Sequence, residues 1–197
     1  MTDTSSEATT TPGVLLAAIQ HSGGRRIDRL IASVAGQLKR RGLRVGGVVQ
    51  SNVEQVGECR CDMRLEELTT GRVVSISQRL GPESRGCRLN DVALERIVAL
   101  VEASLEDGLD ILILNKFGRQ EAEGKGLRTA IAHAAAAGIP VLVGLNRAYA
   151  AEWCRFCEGE GQLLEAEPAA IARWLETSLS VSARALEQAI ELGPALR

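Results

Sequence analysis

The sequence predicts a three-layer α/β fold: a parallel sheet with helices on both faces, carrying an inserted antiparallel hairpin. Three observations predict it. Short continuous apolar runs recur at Val14–Ile19, Val45–Val49, Asp110–Leu114 and Ile139–Gly144, as in strands buried on both faces. Segments with helical apolar spacing lie between several of these runs. Such alternation builds parallel sheets with right-handed crossovers. One stretch, Cys61–Ser77, instead roughly alternates around Thr69-Thr70-Gly71, which reads as a hairpin.

In chain order, Thr2–Thr11 is nearly all Thr, Ser, Ala and acid, so residues 1–12 read as a disordered tail. The first strand ends in a glycine turn, His21–Arg26. Ile27, Leu30, Ile31, Val34, Ala35 and Leu38 then mark a helix that ends near Gly42. The second strand and the hairpin follow. Arg79–Leu89 is polar and glycine-rich and reads as a loop. Asn90 is placed to cap a helix running to about Glu106. The third strand feeds a polar loop, Asn115–Gly126. A helix at Leu127–Ala137, the fourth strand and a short helix at Ala148–Cys157 come next. Pro168 suits the start of a last helix, Ala169–Leu179, extending toward Ile190. The expected division is an α/β domain at 13–166 and a helical extension at 167–197. No internal repeat is visible.

Composition narrows the function. The chain has 197 residues, 45% hydrophobic and 24% charged, as in a folded globular protein. Lys plus Arg is 23 and Asp plus Glu is 25, a net charge of −2. That excludes gripping nucleic acid through overall positive charge. No apolar run reaches the about 18 residues of a membrane span, so no membrane partner is expected. Met1–Thr11 lacks the basic and apolar regions of a signal peptide, so the expected compartment is the cytoplasm. Aromatics are only 3%, which predicts an aliphatic core.

Ligand sites of such sheets collect at the carboxyl ends of the strands. Three segments qualify. The first is His21-Ser22-Gly23-Gly24-Arg25-Arg26. A strand, a glycine turn and a helix start present free N–H groups and a positive dipole end to an anion, and two arginines add forked donors. The phosphate-loop pattern G-x-x-x-x-G-K-[ST] is only partly met. Gly24 matches its second glycine, Arg25 replaces the Lys, Arg26 replaces the hydroxyl residue, and Ile19 replaces the first glycine. A degenerate phosphate cradle and a plain turn with solvated arginines both fit.

The second segment is Pro82–Arg88, where Arg85 and Arg88 flank Gly86-Cys87. It suits an oxyanion wrapped by N–H and guanidinium donors, or an ordinary basic loop. Asp62, in the hairpin, is a candidate polar contact. The third is Asn115–Gly126. The strand before it ends in Asn115-Lys116 rather than in the Asp that supports magnesium in phosphate-loop enzymes. Glu121 and Glu123 are the carboxylates left to reach the site. The predicted ligand set is therefore His21, Ser22, Gly23, Gly24, Arg25, Arg26, Asp62, Arg85, Gly86, Arg88, Asn115, Lys116 and Glu121. No Ser-His-Asp or Cys-His pairing suggests a nucleophile. Cys59 and Cys61 with Cys154 and Cys157 give either a four-thiolate zinc site or unligated thiols.

Three stretches carry a resemblance. They are Cys61-Asp62-Met63-x-Leu65-x-x-Leu68-x-x-Gly71, Ile76-Ser77-Gln78-x-Leu80-Gly81-Pro82-x-Ser84-Arg85-Gly86-Cys87-Arg88-Leu89, and Asn115-Lys116-Phe117-Gly118-x-x-Glu121-Ala122-Glu123-Gly124. From about Val14 to Ala166 the chain resembles a bacterial family known by the domain label DUF 2478. That family is in turn similar to nucleoside triphosphatases of the thermophile (THEP) type. The resemblance implies a sheet of the phosphate-loop NTPase type. The THEP segment Asp-Glu-x-Gly-x-x-Glu is matched here at Gly118 and Glu121 but not at the acidic pair. The family's association with molybdenum uptake and nitrogenase implies molybdate, tungstate or a nucleotide as ligand, and a protein partner in metal-cofactor metabolism. The expected function is binding of such an anion without efficient hydrolysis. The alternatives are a triphosphatase with Glu121 as base and a partner-binding regulatory module.

Overall fold

A computed structural model of the protein describes residues 15–54, 61–78, 88–179 and 183–192. The first strand, β1 (Leu16–His21), leads through the glycine turn into α1 (Arg25–Arg40) and then β2 (Val45–Glu54). The chain turns back as β3 (Cys61–Glu67) and forward as β4 (Val73–Ser75). Two short strands, β5 (Ser77–Gln78) and β6 (Arg88–Leu89), pair antiparallel with each other. Then come α2 (Asp91–Glu106), β7 (Ile111–Phe117), the short α3 (Arg119–Ala122), α4 (Arg128–Ala136) and β8 (Val141–Asn146). A 3₁₀ turn at Arg147–Tyr149 leads into α5 (Ala150–Phe156), β9 (Gln162–Leu164), α6 (Pro168–Leu179) and α7 (Ala183–Leu192).

The main sheet has seven strands in the order β4-β3-β2-β7-β8-β1-β9. Its five strands from β2 to β9 are parallel. The hairpin joins the same sheet at its β2 edge, antiparallel, with Arg64 opposite Ser75 and Leu65 opposite Val74. The sheet is therefore mixed, and the inserted hairpin extends it rather than standing apart.

Topology sorts the helices. The β1-to-β2 connection steps over β8 and β7 in one direction. The later connections step back from β2 to β7, β8 and finally β9. Right-handed crossovers in opposite directions place helices on opposite faces. One face buries Ala18, Leu112, Leu114, Val141 and Val143 with residues of α2, α4 and α5. The other buries Ala17, Ile19, Ile111, Ile113 and Leu142 with α1, α6 and α7. Alternate residues of one strand serve opposite faces, and both faces are covered. That is why the strands read as unbroken apolar runs.

Several element boundaries differ from the sequence expectation. The third strand runs on through Asn115 and Lys116 to Phe117, with a register irregularity after Leu114. The expected polar loop Asn115–Gly126 thus contains a strand end and a helical turn. β9 is a strand that sequence patterning does not reveal. The apolar period after Pro168 forms two helices, and Trp174, Leu175, Leu186 and Ile190 pack into the α1 face. Asn90 caps α2 as expected, its side chain accepting from Ala93 N–H at 3.1 Å. The tail at residues 1–12 lies outside the described residues.

Candidate functional site

The site lies where β1, β2 and β7 end. After His21 the backbone turns through Gly23 and Gly24, with φ of 109° and 95°. Only glycine adopts such values readily. A Cβ at either position would meet nothing within 4 Å, so the turn borders open space. Gly24 caps α1 without a side-chain hydrogen bond. A helix start of this kind leaves amide donors without intrahelical partners. Ser22, Arg25 and Arg26 are exposed around it.

His21 is fixed within this turn. Its Nδ1 accepts the Gly23 N–H at 2.9 Å. An accepting Nδ1 leaves the proton of a neutral imidazole on Nε2. That Nε2 is buried and has no partner among the described residues. Burial pushes the imidazole below its usual pKa, the charge of Lys116 lowers it further, and Asp28 opposes both. Among the described residues, the Nε2–H of His21 thus has nothing to donate to. Lys116 itself is exposed.

Asn115 ties the strand end to the helix. Its side-chain NH₂ donates to Asp28 Oδ1 in the first turn of α1 at 2.9 Å. It also donates to Gln50 Oε1 on β2 at 3.3 Å. Asn115 is 1% exposed, and its Oδ1 has no partner among the described residues. Asp28 and Gln50 belong to the site although sequence reasoning passed over them. The available signals were an acid in the first turn of α1 and a polar residue closing the apolar run of β2.

Glu121 points into its own loop. Its Oε2 accepts the Gly118 N–H at 3.0 Å, and its Oε1 accepts the Leu127 N–H at 3.1 Å. The residue is 7% exposed. Both oxygens of the carboxylate are thereby engaged in holding the β7–α4 segment. Glu123 instead pairs on the surface with Arg119 at 2.7 Å.

Next to Asn115 a cleft of about 480 Å³ opens on the α2 face. Gln50, Asn115, Lys116 and Glu121 all border it.

The structure therefore draws together His21, Asn115 and Lys116 at the strand ends, with the glycine turn beside them. Arg85, Gly86 and Cys59 lie outside the described residues. Asp62 and Arg88 lie on β3 and β6, their side chains outside that description, as is that of Cys61. Cys154 is exposed and Cys157 is buried near Trp153. Burial, the largest cause, pushes the Cys157 thiol up to about 12. Among the described residues no group of three or more His, Cys, Asp and Glu is placed to hold a metal ion. No helix among them is long and apolar enough to cross a membrane.

A family model described as "Protein of unknown function (DUF2478)" matches residues 16–174. A relative from Bradyrhizobium diazoefficiens, the molybdenum import ATP-binding protein ModC 2, is 36% identical over 188 residues. The match covers 92% of this chain and 21% of the relative, so the chain spans about a fifth of that protein's length. No solved structure matches.

Proposed function

The chain belongs to the DUF2478 family, and from that premise we propose that it binds an anion at the β1–α1 turn without hydrolysing it efficiently. The ligand class is a phosphate group of a nucleotide or a metal oxyanion such as molybdate or tungstate. One observation carries the reading: the buried Nε2–H of His21 beside the start of α1, which has no partner among the described residues. A buried donor without an acceptor is costly, and an anion oxygen supplies the missing acceptor. The amides at the start of α1 and the positive end of its dipole favour the same charge. Arg25, Arg26 and Lys116 add positive charge around the turn.

The neighbouring groups supply anchoring rather than water activation. A strand-end carboxylate would support magnesium in a phosphate-loop enzyme. Here the apolar run of β7 is followed by Asn115, an amide whose NH₂ donates to Asp28 and Gln50. Glu121 would have to give up two backbone bonds to act as a base. The relative's name refers to molybdenum import and ATP binding, and both ligand classes fit the chemistry of the turn.

Thermal unfolding of desalted protein tests this, with molybdate, tungstate, sulfate, phosphate and magnesium-ATP titrated separately. A ligand held only by the folded state adds about 2.7 kcal/mol of stability at a hundredfold excess over Kd. Stabilisation by a member of this set supports the proposal. No stabilisation by any of them rejects it and moves the reading to a partner-binding module.

A further inference from the structure

The parallel ladder sets a second polar side chain beside His21. β1 and β8 pair in register from Leu16 opposite Val141 to His21 opposite Asn146. Neighbouring strands lie about 4.8 Å apart, and side chains alternate between the two faces of a sheet. Two observations say which face these residues take. Ala17 and Ile19 pack into the cluster that contains α1, and His21 follows Ile19 by two. A Cβ on Gly144 would lie 2.7 Å from Ile31 Cδ1 of α1, and Asn146 follows Gly144 by two. His21 and Asn146 therefore end β1 and β8 side by side on the α1 face, where β1 turns through Gly23 and Gly24 into α1.

The amide of Asn146 is oriented by its own loop. Its Oδ1 accepts the Ala148 N–H at 3.0 Å and caps the 3₁₀ turn at Arg147–Tyr149. A backbone N–H only donates, so the oxygen of the amide, not its NH₂, must face Ala148. The NH₂ is the group left over. It has no partner among the described residues, and Asn146 is half-buried. Capping accounts for the oxygen alone, because Asp or Ser caps a helix start about as well as Asn does. The NH₂ is what Asn adds at this position.

We propose that Asn146 is the second side-chain donor of the anion site, its NH₂ binding the same phosphate group or oxyanion that accepts the Nε2–H of His21. Both groups are uncharged N–H donors on adjacent strands, and a tetrahedral anion offers an oxygen to each. Hydrogen bonds to an ionised acceptor are the strong ones, so two such donors fix where the anion sits. The arginines of the turn and Lys116 supply the charge. The inference rests on the anion reading of the β1–α1 turn and extends that site from β1 to β8.

NMR of the ¹⁵N-labelled full chain tests it, with molybdate, phosphate and magnesium-ATP as probes. The Asn146 NH₂ signal is expected to shift on titration and to saturate together with the Gly23 and Gly24 amides. A response to molybdate or phosphate marks a free oxyanion, a response to magnesium-ATP alone marks the phosphates of a nucleotide, and either supports the inference. Asn146→Asp keeps an oxygen for the Ala148 N–H, and Asn146→Ser caps the turn with neither an NH₂ nor a charge. Both are expected to bind at least tenfold more weakly than wild type, with the unfolding temperature unchanged. A probe that moves the Gly23 and Gly24 amides and leaves the Asn146 NH₂ signal in place overturns this inference while the anion reading stands. Equal affinity of wild type and Asn146→Ser does the same. No shift at Gly23, Gly24 or Asn146 with any probe overturns both. The NMR comparison uses the unaltered protein, so it decides the matter even where a variant fails to fold.

Discussion

Replacing Glu121 separates a structural carboxylate from a catalytic one. Its two oxygens accept the N–H groups of Gly118 and Leu127 at 3.0 and 3.1 Å, and the residue is 7% exposed. A hydrogen bond to a charged group contributes about 1.5–3 kcal/mol. Glu121→Ala removes both, so the expected loss is about 3–6 kcal/mol. Glu121→Gln keeps one acceptor and turns an NH₂ group toward the other N–H, so about half that loss is expected. Small domains are stable by only about 5–15 kcal/mol, so the Ala variant consumes a large share of the total. Urea unfolding of wild type and both variants, fitted with a common slope, gives the differences directly. Losses below about 0.5 kcal/mol for both variants would refute the assignment of Glu121 as the anchor of its loop. A triphosphatase activity abolished by Glu121→Gln with stability unchanged would restore the carboxylate as a base.

Three further outcomes are expected. Stability should fall on acidification as pH drops below about 6.5, the usual histidine value. The folded-state pKa of His21 lies below the unfolded one, so the unfolded chain binds more protons in that window; unfolding midpoints for wild type and His21→Gln between pH 7.5 and 5.5 check this, and an identical slope for both contradicts it. Gly144→Ala should destabilise by about 1–3 kcal/mol or more, because its Cβ would collide with the Asn115 carbonyl and with Ile31; an unchanged melting temperature contradicts that packing. Cys157, with its thiol raised to about 12, should resist iodoacetamide in the native state and react once urea is added, as read by peptide mass mapping; native labelling of Cys157 at the rate of Cys154 contradicts its burial.

The parallel strands were legible because burial on both faces removes polar residues from them. Ile111–Leu114 and Val141–Val143 are fully buried, and no amphipathic helix reads that way. β9 was not legible. It is a three-residue edge strand with only Leu164 buried, too short for any period. The end of β7 was hidden for another reason. Asn115 and Lys116 look like loop residues, yet Phe117 returns to the core and rejoins the ladder opposite Leu145. The glycine turn and His21 were visible as a strand-to-helix junction. The role of Asn115 was not, because its partners Asp28 and Gln50 lie 87 and 65 residues away in sequence. Glu121 read as a candidate ligand contact or base, since its residue type does not announce that Leu127 N–H would occupy it. Hydrogen-bond partners, rather than residue types, decide what these polar groups can do.

The proposed anion at the β1–α1 turn is held through His21. Isothermal titration of wild type and His21→Phe with molybdate, tungstate, phosphate and magnesium-ATP addresses it most directly. Saturable binding of at least one of these to wild type is expected, weakened at least tenfold in the variant, with the variant's fold intact by circular dichroism. Binding of equal strength to both proteins, or binding to neither, would contradict it.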